Sequence, residues 1–184
     1  MGIGTGWDAP EPDAGEPEAH VADAPHPVEP QRREEGTARI VEVGTKPKTD
    51  REAVAECIVT MTAEACAQLI EGTPKGNPLE AARIAGVMGV KRTPDLLPFC
   101  HPIAVTGADV VVTPEPQTGR ITVRTTVRAH DRTGVEMEAL TAAAIAALSL
   151  YDTAKAYDRA ARIDGLRLLA KRGGKTGEYV ADAG

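Results

Sequence analysis

The sequence predicts an α+β protein with a ferredoxin-like antiparallel sheet and helices packed on one face. Three observations predict this fold. Two alternating segments form a hairpin in the middle of the chain, capped helical segments precede the hairpin, and a long alanine-rich helix and a further strand follow it. The resulting order of strand, helices, two strands, helix and strand is typical of a split β-α-β arrangement.

The chain before the hairpin begins with strand signals. Arg39–Val43 (RIVEV) alternates between polar and apolar residues, which predicts a short strand, and a polar turn follows around Pro47. Arg51–Met61 is ambiguous at its start, but its CIVTM end favours a strand. Thr62 then predicts the N-cap of a short helix, and Gly72 is suited to end it in the left-handed conformation that glycine tolerates.

A second helix is predicted to begin at Asn77. The asparagine side chain is suited to the N-cap, Pro78 stands at the first helical position, and Glu80 at the third resembles a capping box. We expect this helix to run to about Arg92, because Pro94 lacks the N–H group that a continuing helix needs.

The hairpin consists of Ala104–Thr113 and Arg120–Ala129, joined by a turn of sequence PEPQTG. In its second strand, apolar residues alternate with arginines, so one face is expected to lie in the core. Gly134–Asp158 follows as the strongest helix candidate, and it is apolar on nearly every side, which predicts burial. Arg167–Lys171 predicts the last strand.

Residues 1–37 differ in composition from the rest of the chain. They hold nine of the 27 acidic residues and only Arg32 and Arg33 among the basic ones. Because this segment is rich in proline and poor in large apolar residues, we predict a disordered tail ahead of a folded domain at 38–184. The domain is close to neutral and has no broad basic surface, so no nucleic-acid partner is expected.

Cysteine content and hydropathy suggest the compartment. Cys57, Cys66 and Cys100 are odd in number and lack CxxC spacing, which argues against a disulfide framework or a structural zinc site. No segment reaches the roughly 18 apolar residues that span a membrane. The first residues also lack the basic and apolar pattern of a secretory signal. We therefore expect a cytoplasmic protein without a membrane partner.

The long helix carries polar residues at both ends. Asp152 and Lys155 share one face, either as a surface ion pair or, in a cleft, as an acid–base pair whose lysine loses its proton readily. Glu136 and Glu138 lie in the first turn, where acids also complement the helix dipole. Glu138 and Asp152 are fourteen positions apart, or about 21 Å along a straight helix. That distance is too long for both to hold one small reacting centre from the same subunit. Either a long substrate spans it, or each site takes one helix end from each of two chains.

Other segments suggest binding rather than nucleophilic chemistry. Cys100 and His101 are adjacent, so an extended chain directs them to opposite sides, and a thiol–imidazole dyad is not expected. His101 fits better as an isolated hydrogen-bonding group in a pocket. Lys75 and the loop at 173–177 combine lysine with glycine, as anion sites do. The loop lacks the glycine spacing and the following helix of a P-loop.

Three stretches together resemble one family, the cyclic pyranopterin monophosphate synthases (MoaC) of molybdenum cofactor biosynthesis. They are KGNPLEAARIAGVMGVKRTPDLLPFCHPI, TGVEMEALTAAAIAALSLYDTAKAYD and LLAKRGGKTGEY. With the segment RIVEVGTKPKTDREA, the resemblance covers residues 39–180. Mild departures occur at Asn77, Glu42, Gly44 and Ile103, where the family commonly has Asp, Asp, Ser and Leu.

The resemblance implies an activity and an assembly. The family converts 3′,8-cyclised dihydro-GTP, made by a partner radical enzyme, into cyclic pyranopterin monophosphate and releases diphosphate. It implies a lyase that acts on a small molecule without a redox cofactor, and no metal-ligating residues are expected. It also implies a homohexamer, a trimer of dimers, with active sites at the dimer interface.

The resemblance also implies roles for individual residues. The catalytic candidates are Asp152, Lys155 and Lys75. The substrate-contacting candidates are Phe99, Cys100, His101, Met137 and Glu138. Arg51 and Lys171 are weaker candidates for phosphate contacts. Because the substrate is a polyanion, several cations are expected in the site, and neighbouring lysines are expected to lower one another's pKa.

Two alternatives from other classes remain open at the level of the residues. The same lysines and glycines would suit a ferredoxin-like module that binds a nucleotide or another anion without turnover. The alanine-rich helix would also suit a purely structural oligomer. Conversion of the cyclised GTP distinguishes the lyase from both.

Overall fold

The computed structural model describes residue 36 and residues 38–175 and 177–182. These residues belong to one unit, Glu34–Gly184. The predicted acidic tail, residues 1–37, lies outside the described residues apart from Gly36.

The fold is built on a five-stranded antiparallel sheet with the order β2-β3-β1-β4-β5. The strands are β1 Thr49–Thr60, β2 Val105–Glu115, β3 Arg120–Asp131, β4 Arg162–Arg172 and β5 Tyr179–Val180. β1 lies in the centre and pairs with β3 along its whole length. Helices precede the hairpin β2–β3 and follow it, so the predicted ferredoxin-like α+β fold is confirmed.

The two faces of the sheet differ in chemistry. On the inner face, β3 buries Ile121, Val123, Thr125 and Val127, as the alternation predicted. The outer face is crossed by ion pairs between strands: Arg124–Glu56 at 2.6 Å, Arg128–Asp109 at 2.5 Å and Arg172–Glu52 at 3.1 Å. The helices therefore cover only the inner face.

The two predicted helix starts are confirmed at the level of single hydrogen bonds. Helix α1 spans Ala63–Glu71, and the Thr62 hydroxyl accepts from the N–H of Ala65. Gly72 ends it with a φ of 101°, a conformation that favours glycine. Helix α2 spans Pro78–Leu96, and the Asn77 side chain accepts from the N–H groups of the second and third helical residues.

Two sequence predictions are wrong. Pro94 does not end α2, because a proline removes only one backbone donor and the N–H of Leu97 still closes the last turn on Thr93. The terminator is Pro98, which favours the extended conformation observed at Leu97. Arg39–Val43 is not a strand; the segment runs as irregular chain beside the sheet.

Helix α3, Glu136–Ala154, is buried against the sheet and against α2, as predicted. Gly86 and Gly89 of α2 allow this close packing. A Cβ atom at Gly86 would lie 3.2 Å from the carbonyl oxygen of Ala142 and 2.9 Å from a methyl group of Val110. The residues of α3 that are buried are Glu138, Ala139, Ala142, Ala143, Ala146, Ala147, Leu150 and Ala154. One carboxylate thus lies in an otherwise apolar set.

Candidate active site

The C-terminal end of α3 gathers the three catalytic candidates. Asp152 and Lys155 form an ion pair of 2.7 Å between Oδ1 and Nζ, and both side chains are more than half exposed. Lys75 lies in the loop between α1 and α2, where a bridge between Thr73 and Gly76 closes a tight turn. The charge of Lys75 acts on Asp152, so the three side chains share one electrostatic neighbourhood.

The pKa directions of this cluster follow from that pairing. The pKa of Asp152 is lowered by the hydrogen bond and charge of Lys155 and then by the charge of Lys75. The pKa of Lys155 is raised by the hydrogen bond and charge of Asp152. The exposed Asp152–Lys155 pair corresponds to the surface ion pair that the sequence left open, and its carboxylate opposes deprotonation of Lys155.

The N-terminal end of α3 holds the buried carboxylate. Glu138 is 2% exposed, and its Oε2 atom is buried with no hydrogen-bond partner among the described residues. Burial raises the pKa of Glu138 to about 6, and the charge of Glu136 adds to this effect. A buried carboxylate oxygen without a partner costs free energy, so it marks a place where a ligand with N–H or O–H donors would be stabilised.

Glu138 opens onto a cavity between the end of α2 and strand β2. The cavity has a volume of about 480 Å³ and is largely apolar. Its polar wall includes Lys91, Thr106 and Glu138. Lys91 was not singled out from the sequence, because a lysine on a helix surface carries no signal of what it faces.

The Phe99-Cys100-His101 segment runs close to this end of the helix. The charge of Glu138 acts on Cys100, whose pKa is raised chiefly by burial, so the thiol is not activated as a nucleophile. His101 places its Nε2 atom 2.8 Å from the carbonyl oxygen of Val41. Cys100 and His101 thus have different partners, in agreement with the expectation that they form no dyad. Phe99 and Met137 are both exposed apolar side chains.

A second ion pair lies beside Glu138. Lys171 Nζ is 3.0 Å from Glu136 Oε1, which joins β4 to the first turn of α3. Gly134 makes room for this carboxylate, because a Cβ atom there would collide with Glu136 Oε2. The sequence signal for this arrangement is a glycine, Gly134, two positions before Glu136, and it did not lead to a prediction of the ion pair.

The glycine loop after β4 encloses a guanidinium group. Gly173 and Gly174 have φ values of 92° and 85°. A Cβ atom at Gly174 would collide with Arg51 Nη1. Arg51 also donates from Nε to the carbonyl oxygen of Asp131 at 3.2 Å. The loop therefore packs against Arg51, for which the resemblance implied only a weaker role as a phosphate contact.

Comparison with known proteins assigns the family. The model of the MoaC family matches residues 40–174. This chain belongs to the MoaC family.

Curated relatives share most of the chain. A cyclic pyranopterin monophosphate synthase of Chloroflexus aurantiacus is 49% identical over 145 residues, which cover 78% of this chain and 89% of the relative. The proteins of the same name from Parvibaculum lavamentivorans and Cereibacter sphaeroides are 48% and 47% identical. They cover 80% and 82% of this chain and are themselves covered to 93% and 95%.

The MoaC fold of this chain thus carries two separate polar clusters. We call Lys75, Asp152 and Lys155 the lysine cluster, and the cavity with Glu138, Cys100 and the Glu136–Lys171 pair the acid cluster. The lysine cluster lies at the C-terminal end of helix α3 and the acid cluster at its N-terminal end, so the helix connects the clusters and sets the distance between them. Within the described residues, no helix has the length and apolar character needed to cross a membrane.

Proposed function

We propose that this chain is a lyase of molybdenum cofactor biosynthesis, a cyclic pyranopterin monophosphate synthase. It converts 3′,8-cyclised dihydro-GTP to cyclic pyranopterin monophosphate with release of diphosphate. The observation that carries the proposal is the lysine cluster, Lys75 with the Asp152–Lys155 pair, on a chain that is nearly half identical to proteins of that name.

The lysine cluster supplies charge where the reaction develops it. Attack of a ribose oxygen on the α-phosphate expels diphosphate, so the transition state gains negative charge on phosphoryl oxygens. Lys155 remains protonated because Asp152 raises its pKa. It therefore acts as a charge stabiliser and proton donor, and Lys75 serves as the second catalytic lysine. Asp152 orients Lys155 and is the acceptor of the pair.

The acid cluster supplies recognition of the heterocycle. A guanine-derived ring presents adjacent N–H donors, and the unpartnered Oε2 atom of Glu138 is an acceptor that lacks a donor. Phe99 and Met137 expose apolar surface nearby on which a planar ring can pack. Cys100 and His101 complete the substrate-contacting set.

The two clusters come from different subunits in this proposal. α3 separates Glu138 from Asp152 by about 21 Å if it is straight. A site at a dimer interface would combine the lysine cluster of one chain with the acid cluster of its partner. The family's homohexamer, a trimer of dimers, provides such interfaces. Its assembly is supported by exposed apolar side chains on α2 and α3, of which Ile84 is 65% and Leu148 53% exposed.

The decisive experiment is mass spectrometry of the product formed from cyclised GTP by the purified full chain. We expect cyclic pyranopterin monophosphate and diphosphate in equal amounts, and native mass spectrometry should report six subunits. If the substrate protects the chain from thermal unfolding but is recovered unchanged, the protein is instead the non-catalytic anion-binding module. The three cysteines are free, which supports a reducing cytoplasm as the place of action.

A further inference from the structure

A short segment ahead of the sheet lies against His101. We call Val41–Lys46 the strap. The Val41 carbonyl oxygen lies 2.8 Å from His101 Nε2. A carbonyl oxygen only accepts hydrogen bonds, so Nε2 must carry a proton and donate it. In a neutral imidazole, Nδ1 is then the nitrogen without a proton.

The strap is fixed at its other end as well. The Arg132 Nε–H group donates to the carbonyl oxygen of Lys46 at 3.0 Å. Between the two ends, the N–H of Lys46 donates to the carbonyl oxygen of Val43, which closes a turn. The Glu42 carboxylate also accepts from the N–H of Gly44 at 2.5 Å. The strap is thus a turn that is held at both ends by side chains from other parts of the chain.

One carboxylate ties the strap's anchor to the His101 segment. Asp131, at the end of β3, accepts from the N–H of Arg132 at 2.8 Å with Oδ1 and from the N–H of Ala104 at 3.3 Å with Oδ2. Its pKa is lowered, first by the bond from Arg132, and the bond from Ala104 and the charges of Lys48 and Arg132 act in the same direction against the effect of burial. Ala104 lies three residues after His101, and Arg132 holds the strap. Asp131 therefore fixes the position of the His101 segment relative to Arg132.

We propose that Asp131 and Arg132 are positioning residues that set the tautomer of His101 through the strap. The Val41 carbonyl selects the Nε2–H form, and Nδ1 is left to accept a hydrogen bond from an N–H or O–H group of the substrate. This inference rests on the proposed function in one respect, because it requires His101 to contact the substrate. Sequence patterns point to neither residue, because Asp131 contacts Ala104 and Arg132 contacts Lys46, partners that are distant along the chain.

The tautomer can be measured directly on the full-length protein. Ring ¹⁵N–¹H correlation spectra at about pH 8, above the usual titration range of imidazole, distinguish the two forms, and His101→Gln identifies its signal among the four histidines. We expect His101 to be in the Nε2–H form in the wild type. Arg132→Met and Asp131→Ala should each raise the share of the Nδ1–H form.

Arg92→Met is the matched control, because Arg92 forms an exposed ion pair with Asp95 on α2, outside the strap. It should leave the His101 signal unchanged. A wild-type His101 in the Nδ1–H form would overturn the proposal. So would spectra of Arg132→Met and Asp131→Ala that both match the wild type.

Kinetics provide a second readout. Loss of one well-placed hydrogen bond to the substrate should lower kcat/KM of Arg132→Met about tenfold, with a thermal unfolding midpoint equal to that of Arg92→Met. Unchanged kcat/KM in a variant whose tautomer has shifted would show that His101 Nδ1 does not serve the substrate. Absence of turnover in the wild type would defeat the proposed function, whereas the spectra would still decide the tautomer.

Discussion

The Thr125 hydroxyl in β3 donates a buried hydrogen bond of 2.8 Å to the backbone carbonyl of Ala139 in α3. This bond joins the sheet to the first turns of α3, one residue after Glu138. It therefore helps to fix the position of the acid cluster above the sheet, together with the hydrogen bond from the Cys57 thiol to the carbonyl oxygen of Ala143 and the Lys171–Glu136 pair.

Replacing Thr125 with valine should lower the free energy of unfolding by about 1 kcal/mol, because the side-chain shape is kept and one buried hydrogen bond is lost. Urea unfolding measures this change. Thr122→Val, on the outer face of the same strand, is the matched control and should be close to neutral. Equal stability of the two variants would mean that the bond does not anchor α3.

Glu138→Gln should make the protein more stable near neutral pH while impairing substrate binding. The pKa of Glu138 rises from 4.5 to about 6 on folding, so the folded state keeps its proton where the unfolded state has lost it. This difference in pKa adds to the free energy of unfolding. The contribution, about 2 kcal/mol, is fully present below pH 4.5 and is lost as pH rises through 6.

The measurement for Glu138 is urea unfolding between about pH 4.5 and 8, the range that follows from the linkage between pKa and stability. The variant should lack the fall in stability across pH 6 and should exceed the wild type above it. Glu64→Gln, an exposed acid in the first turn of α1, should keep the wild-type pH dependence. A Glu138 variant that is less stable than the wild type at neutral pH would show that the carboxylate has a stabilising partner in the assembled protein.

Asp152→Asn should lower the pKa of Lys155, because the carboxylate that raises it is removed. We expect turnover to fall about 10²-fold or more, as when one member of an acid–base pair is lost. Side-chain NMR of lysine follows the pKa and mass spectrometry follows the product. Asp95→Asn is the control. It removes the exposed ion pair between Asp95 and Arg92, which are also three residues apart, and should preserve activity. Full activity of Asp152→Asn would remove the pair from the mechanism.

Mixed oligomers test whether the two clusters of one site come from two chains. Asp152→Asn and Glu138→Gln subunits should each be inactive alone. After random exchange within isologous dimers, one site in each mixed dimer regains both intact clusters, so about a quarter of the activity should return. Mixing two preparations of the Asp152 variant is the control. No recovery in mixed oligomers verified by native mass spectrometry would favour sites built within single chains.

Much of the fold could be predicted from local signals. Thr62 and Asn77 cap helices because their side chains reach backbone N–H groups two or three residues away, a relationship that the sequence contains in full. The alternation in β3 likewise records which side of the strand is buried. β5 was missed, since two residues are too few for any periodicity to appear.

The misjudged features depend on partners distant in sequence. Arg39–Val43 alternates like a strand, but both edges of the central strand β1 are taken by β3 and β4, and the segment turns to His101 instead. The predicted strand Arg167–Lys171 is longer in the structure, where β4 begins at Arg162 and passes Gly165 in the left-handed region. An Asp-Gly pair reads locally as a turn, but in the structure Asp164 pairs with Ile58 and Gly165 lies at a shift of the β1–β4 register, as in a β-bulge.

The sequence by itself determined the order of the elements, the helix caps, the MoaC resemblance and the identity of the candidate residues. The pKa values of the candidate residues depend on the tertiary structure. Burial raised the pKa of Glu138, and pairing with Asp152 raised that of Lys155. The physical reason is that caps and alternation depend on neighbours within a few residues. Desolvation and Coulomb interactions instead depend on which groups the completed fold brings together.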